Sequence, residues 1–255
     1  MLTLPLLFAL LAAPQYEVRT LEGATASGTI VSLSDQILEL ETTTGKQSFP
    51  IKQLIEVTST APQAASTPHS AVVELATGTR LGVNQFTVDA GTATLQYQYQ
   101  SIPVSVKELR SVRFRDPEFD SHAVDSAWDE LAASGPVEDL LVIRKKKAID
   151  STTGVVGNIT SENIDFTLDG DKIAVKRSKV EGIVFARRAN EEQPTAPCIV
   201  RTNDGSQFHA TAIELAGDSV VLKQADAAIK LPLAGIRQFD FSGGKLAYLS
   251  DLEPQ

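Results

Sequence analysis

The stretch Ile173-Ala174-Val175-Lys176-Arg177-Ser178-Lys179-Val180-Glu181-Gly182-Ile183-Val184-Phe185 decides the fold, because the chain contains its pattern four times. Related phrases run from Phe49-Pro50-Ile51 to Val57, from Ile102-Pro103-Val104 to Phe114, and from Leu231-Pro232-Leu233 to Phe241. Self-similarity at a period of tens of residues marks a repeat architecture. What recurs is apolar spacing and turn chemistry, and no reactive group recurs with it.

Working outward, each phrase closes a run of short strand signals. Around the first, Ile37-Leu38-Glu39-Leu40-Glu41 alternates with period two, which places one face in a core and the other in water. Thr44-Gly45-Lys46 supplies the turn that follows. The second has Leu95-Gln96-Tyr97-Gln98-Tyr99-Gln100 after a turn at Asp89-Ala90-Gly91. The third has Ile164-Asp165-Phe166-Thr167-Leu168 before Asp169-Gly170, and the fourth opens on Asn203-Asp204-Gly205. Such Asp-Gly pairs are strong hairpin signals. Five short strands in so few residues would expose their edges as an open sheet, and closure into a small bent barrel would remove them. The reading is therefore all-β, with tandem barrel repeats at 15–60, 70–116, 139–188 and 197–243, and linkers at 61–69 and 189–196.

Residues 117–138 break the pattern. Val124, Ala127, Trp128, Leu131 and Ala132 recur at helical spacing, Asp120 or Ser121 can cap the start, and Gly135-Pro136 stops the run. This predicts one α-helix bridging the second and third repeats, with Trp128 buried between them.

The net charge of −9 disfavours binding to nucleic acid or an anionic membrane. Arg144-Lys145-Lys146-Lys147 runs against that balance and reads as a solvated strand-to-turn edge. The single Cys198, at the head of an apolar strand, can form neither an internal disulfide nor a thiolate cluster. Residues 2–13 are apolar, too short to span a bilayer, and end in small residues, so 1–14 reads as a secretory signal. Export to the periplasm, cell envelope or exterior is the expectation, with no membrane attachment after the signal is removed.

Catalytic candidates are sparse. His69 lies in a linker, His122 at the helix start and His209 on a strand, at unmatched positions. No Gly-x-Ser-x-Gly elbow occurs. Asp169-Gly170-Asp171 reads as turn residues, and Asn158-Ile159-Thr160 matches a glycosylation acceptor. The expected catalytic set, metal set and cofactor set are all empty. For binding, Tyr97 and Tyr99 fall on one strand face by alternation and would stack on sugars or bases if exposed; Trp128 is the third aromatic candidate.

The shared pattern, Leu-x-x-Gly followed by Gly-x-aliphatic, an alternating strand, and the closing phrase, is similar to small SH3-like barrels of the Sm-like kind. Asp139-Leu140-Leu141-Val142-Ile143-Arg144, Gly154-Val155-Val156-Gly157-Asn158-Ile159 and the 173–185 phrase resemble a repeat region of exported planctomycete proteins. There such repeats precede a novel putative carbohydrate-binding module, NPCBM, and the stretch Phe241–Pro254, which leads into the C-terminal tail 244–255, resembles the junction into it. The resemblance implies a non-enzymatic exported scaffold or interaction module associated with carbohydrate binding, holding loops around Gly78, Asp169 and Asp204 toward a glycan or cell-envelope partner. It supplies no glycan-binding residues, since the chain stops at Gln255 where that module would begin. Three alternatives stand beside it: direct glycan binding through the exposed aromatics, an Sm-like nucleic-acid binder, and a hydrolase.

Overall fold

The computed structural model describes residues 13–62, 68–116, 118–119, 121–187, 196–224, 227–243 and 245. The expected signal segment and C-terminal junction therefore fall almost wholly outside the described residues. Within them the regular structure is nearly all β, with one α-helix and four short 3-10 turns.

The first segment holds β1 (Gln15–Thr20), β2 (Thr25–Leu33), β3 (Ile37–Thr42), β4 (Gly45–Pro50) and β5 (Leu54–Ser59). All pairings are antiparallel, in the order β4-β3-β2-β1-β5. The second holds β6 (Ala71–Leu75), β7 (Arg80–Val83), β8 (Gln85–Asp89), β9 (Thr92–Tyr97), β10 (Gln100–Ser105) and β11 (Leu109–Phe114). Here the long second strand is broken into β7 and β8, and the order is otherwise the same.

After the helix α1 (His122–Ala133) come β12 (Asp139–Lys145), β13 (Ala148–Ile159), β14 (Asn163–Leu168), β15 (Asp171–Lys176) and β16 (Val180–Val184). The last segment has β17 (Cys198–Thr202), β18 (Gln207–Ala210), β19 (Ala212–Ala216), β20 (Ser219–Gln224), β21 (Ala227–Pro232) and β22 (Ile236–Asp240). Both repeat the pairing order, and in every segment a single 3-10 turn separates the last two strands.

The expected barrels do not close. β4, β10, β15 and β21 pair on one side only, and none of them pairs with the strand that follows its 3-10 turn. The edges are managed in two other ways. Each closing strand is shared: β5 pairs with β22, and β11 with β16. Three of the four unpaired edges, those of β4, β10 and β21, carry proline, which cannot donate to an added strand, while β15 has none. The hairpin registers place Pro50, Pro103 and Pro232 at positions whose backbone points away from the partner strand. Pro50 and Pro232 immediately precede the 3-10 turn, whereas Pro103 lies two residues earlier and Ser105 takes its place. The sequence alignment at Pro103 was thus out of register by two, which preserves the facing because strands alternate.

Sharing the closing strands sets the spatial order. Segment four pairs with segment one through β22, and segment three with segment two through β16, so the chain's first and last strand groups are joined. The two pairs meet through β7 and β18 at Arg80 and Gln207. A further contact joins β8 to β13 at Val88 and Ile159.

Helix α1 sits at the junction of the second and third segments, as its stripe predicts. Ser121 caps it, its hydroxyl accepting from Val124 N at 3.3 Å. Trp128 packs with Leu140, Val142 and Val184. A Cβ on Gly182 would collide with the Trp128 ring and with the Val112 carbonyl, so only glycine lets β16 pass beneath the indole.

Candidate functional site

The three aromatic candidates separate. β9 ends at Tyr97, and Gln98 turns the chain at φ 51, so Tyr97 and Tyr99 do not share a strand face. Tyr97 is fully buried, while Tyr99 stands fully exposed at the tip of the β9–β10 hairpin. Strand alternation assumed that β9 continues, and the two-residue turn ends it. Trp128 is buried at 5 % exposure.

Tyr97 nevertheless leads to the site. Its ring meets Phe208 edge-on at 5.4 Å, and its hydroxyl accepts from Gln98 Nε2 at 3.1 Å and lies beside Thr202, Asp204 and Ser206. It therefore supports the Asp204 loop from below. Thr202 Oγ1 donates to Asp204 Oδ1 at 2.5 Å, and the Ser206 N–H donates to it at 3.0 Å. Burial raises the Asp204 carboxyl, and these hydrogen bonds outweigh it, leaving the group below its ordinary value.

Opposite this loop stands the Gly78 loop of the second segment. The two enclose a cleft of about 450 Å³, with His69, Glu74, Arg80 and Asp204 in its walls. Four contacts hold the walls together. β7 and β18 meet at Arg80 and Gln207; Gly82 N donates to Ser206 Oγ at 3.0 Å; His209 N donates to Thr79 Oγ1 at 2.9 Å; and His69 Nε2 lies 3.2 Å from the Asp204 carbonyl. His69, expected at the linker surface, lies flat against Gly82, where any side chain would overlap the ring. The third loop, at Asp169 and Gly170, is a separate exposed hairpin tip outside the cleft.

Charge inside the cleft is unequally occupied. Glu74 pairs with Arg110 at 2.9 Å, and Asp204 is held by its own loop. Arg80 is exposed and makes no ion pair among the described residues. The cleft thus offers one guanidinium without an ion-pair partner among the described residues, a group suited to a carboxylate, while His69 Nε2 is engaged with the Asp204 carbonyl.

His209 borders the cleft against Gly78, its Nε2 2.9 Å from Gln207. Burial, and next the Arg201 charge, push its pKa below the ordinary value, with Glu74 opposing. The folded state therefore prefers the neutral ring. That contribution is complete above the unfolded value of about 6.5 and is lost as pH falls below it. Unfolding midpoints should drop between pH 7.5 and 5, and His209→Gln should flatten that part of the profile; an unflattened profile would refute the assignment.

The remaining candidates have structural surroundings. Cys198 is buried, and burial raises its thiol pKa. Asn158 donates to Asp89 Oδ1 at 3.2 Å and accepts from Ala90 N at 3.1 Å, tying β13 to the β8–β9 turn. His122 is the exposed first residue of α1. Among the described residues no group of three or more His, Cys, Asp or Glu is placed to hold a metal ion.

Sequence reading missed the most buried charges. Glu181 accepts from Arg113 Nε at 2.7 Å and from Arg144 Nε at 2.9 Å. Arg113 also pairs with Asp125 at 2.7 Å and covers Trp128, while Arg144 reaches Asp116 at 3.2 Å. Arg144, assigned to a solvated run, is 12 % exposed at its side chain, and only the lysines after it face water. The available signal was Glu181 itself, an acid between Val180 and Gly182-Ile183 in an otherwise apolar strand.

No protein-family model matches the chain, and a search of curated proteins finds no match.

Proposed function

We propose that the chain is a non-enzymatic, exported interaction scaffold. Its four segments are SH3-like units with open seams, of the kind the sequence resembles ahead of carbohydrate-binding modules. The common pairing order and the recurrent 3-10 turn before each closing strand support that unit. The cleft receives a glycan or other cell-envelope component that carries carboxylates, with Arg80 as its main electrostatic contact.

One observation carries this reading. Loops at Gly78 and Asp204, from different segments, are locked by direct bonds around a cleft whose acids are occupied and whose Arg80 is not. A rigid support that presents loops is the general arrangement of binding proteins.

Affinity electrophoresis in gels cast with alginate, an acidic polysaccharide, and with neutral dextran tests it. Alginate should retard the wild type, and Arg80→Ala should weaken retention about tenfold or more, since a hydrogen bond to a charged group contributes about 1.5–3 kcal/mol. Equal migration in both gels, or full retention by the variant, would overturn the proposal.

A further inference from the structure

Of the four strands that precede a 3-10 turn, β15 alone keeps all its outward donors. Its hairpin closes on Leu168 and Asp171 around a two-residue turn, so that pair is hydrogen-bonded and the ladder alternates from there. Asp171, Ile173 and Val175 aim their backbone groups at β14, whereas Lys172, Ala174 and Lys176 aim theirs outward. Among the described residues no hydrogen bond uses the main-chain groups of those three. Counted from the closing pair of each hairpin, Ala174 stands where the second segment has Pro103. Lys176 stands where the first and fourth have Pro50 and Pro232. The other edges thus carry a position that cannot donate, and β15 does not. All of β15 except the half-buried Val175 is exposed.

The two faces of this edge select different side chains. On the core face, Ile173 lies opposite the buried Phe166 and Val175 opposite the buried Ile164, yet Ile173 remains 43 % exposed. An apolar residue on an added strand would cover it. On the other face, Lys172 and Lys176 flank Ala174. The ion pairs of this segment run through Arg144, Lys145 and Glu181, and neither lysine joins one among the described residues. Asp165, directly across from Ala174 on β14, lies on the same face between them. An added strand therefore gains from acids opposite the lysines, with an uncharged residue at the centre where Asp165 would repel a third.

A second copy of the chain fits this edge poorly. Two-fold pairing of β15 with itself, in the register that engages all three outward residues, centres on Ala174. It sets Lys172 of each copy opposite Lys176 of the other, and like charges directly opposite destabilise a strand pair.

We infer that β15 binds an extended acidic peptide of a partner protein by antiparallel strand addition, with the pattern acid, apolar, neutral, apolar, acid. The acids lie opposite Lys176 and Lys172, and the apolar residues opposite Val175 and Ile173. Main-chain hydrogen bonds supply affinity, and the alternating side chains supply the choice of partner. The site shares no residue with the cleft and stands apart from its proposed function.

Fluorescence anisotropy on the full chain at low ionic strength tests it. The probes are a labelled heptapeptide with capped ends, Thr-Glu-Val-Thr-Val-Glu-Thr, and its counterpart with lysine at both glutamates. Saturable binding of the acidic peptide is expected. The basic peptide should bind about fivefold or more weakly, since two cross-strand charge pairs change from attractive to repulsive. Ala174→Pro copies the arrangement of the second segment and should weaken the acidic peptide about tenfold or more, because a peptide carbonyl loses its donor. Should that variant not fold, Lys172→Glu with Lys176→Glu must reverse the preference between the peptides. No saturable binding by the wild type, equal affinity for both peptides, undiminished binding by folded Ala174→Pro, or an unreversed preference in the charge variant would each overturn the inference. So would a wild-type dimer that Ala174→Pro dissociates, which would make a second copy the occupant.

Discussion

Replacing Glu181 by alanine is expected to lower stability by about 3–5 kcal/mol, because it takes from two buried guanidiniums the buried carboxylate they share and leaves only the more exposed Asp125 and Asp116. Glu181 is 1 % exposed at its side chain and bonds Arg113 and Arg144 through separate oxygens. Neither arginine can retreat to water. Arg113 is held over the Trp128 ring, and Arg144 donates to the Phe114 and Ser178 carbonyls at 2.6 and 3.2 Å. Removing all three charges together, as Arg113→Met, Glu181→Leu and Arg144→Leu, should cost much less than Glu181→Ala alone. Urea unfolding followed by Trp128 fluorescence measures both, since the only tryptophan lies at this junction. A loss below about 1 kcal/mol for Glu181→Ala would show that solvent reaches the network.

Phe239→Ala is expected to cost about 3–5 kcal/mol, the range for emptying a fully buried aromatic site. The ring is completely buried, lies 6.2 Å from Tyr16 and stacks at 6.5 Å on Phe241. Its strand pairs with Val200 on one side and Val57 on the other. The Tyr16 hydroxyl completes the joint by donating to the Leu233 carbonyl at 2.7 Å and the Ile236 carbonyl at 3.1 Å. The loss should appear far along the chain, as faster amide exchange in β1 and β5 together with β22. Exchange that accelerates only in residues 198–241 would mean that the first and last segments fold independently.

Much of the secondary structure was legible from local chemistry. Alternation marked β3, β9 and β14, and Asp169-Gly170 marked a hairpin because its residues readily take the positive φ values found there, 51 and 90. The spacing of Val124, Trp128 and Leu131 marked the helix. Local reading failed where a neighbour changed the outcome. Gln98 takes φ 51 and ends β9, so Tyr99 leaves the strand that alternation assigned to it. Arg144 belongs to a basic run by sequence, yet Glu181 draws it inward. Closure was expected for each segment alone, since a lone sheet has two edges to hide; in the molecule, other segments cover the closing strands.

The candidate site was legible only in fragments. Gly78 and Asp204 stood out as turns, and nothing in the chain between them signals that the turns face one another. That meeting depends on β7 pairing with β18 and on the Gly82–Ser206, His209–Thr79 and His69–Asp204 contacts, all between residues more than a hundred positions apart. The amino-acid sequence by itself determined an all-β chain with one helix, the recurrent closing phrase and the glycines at its turns, because period, propensity and φ are properties of neighbouring residues. The tertiary structure decided which closing strands pair, which charges are buried, and where the cleft opens, because backbone hydrogen bonds and desolvation depend on the partner that arrives from elsewhere in the chain.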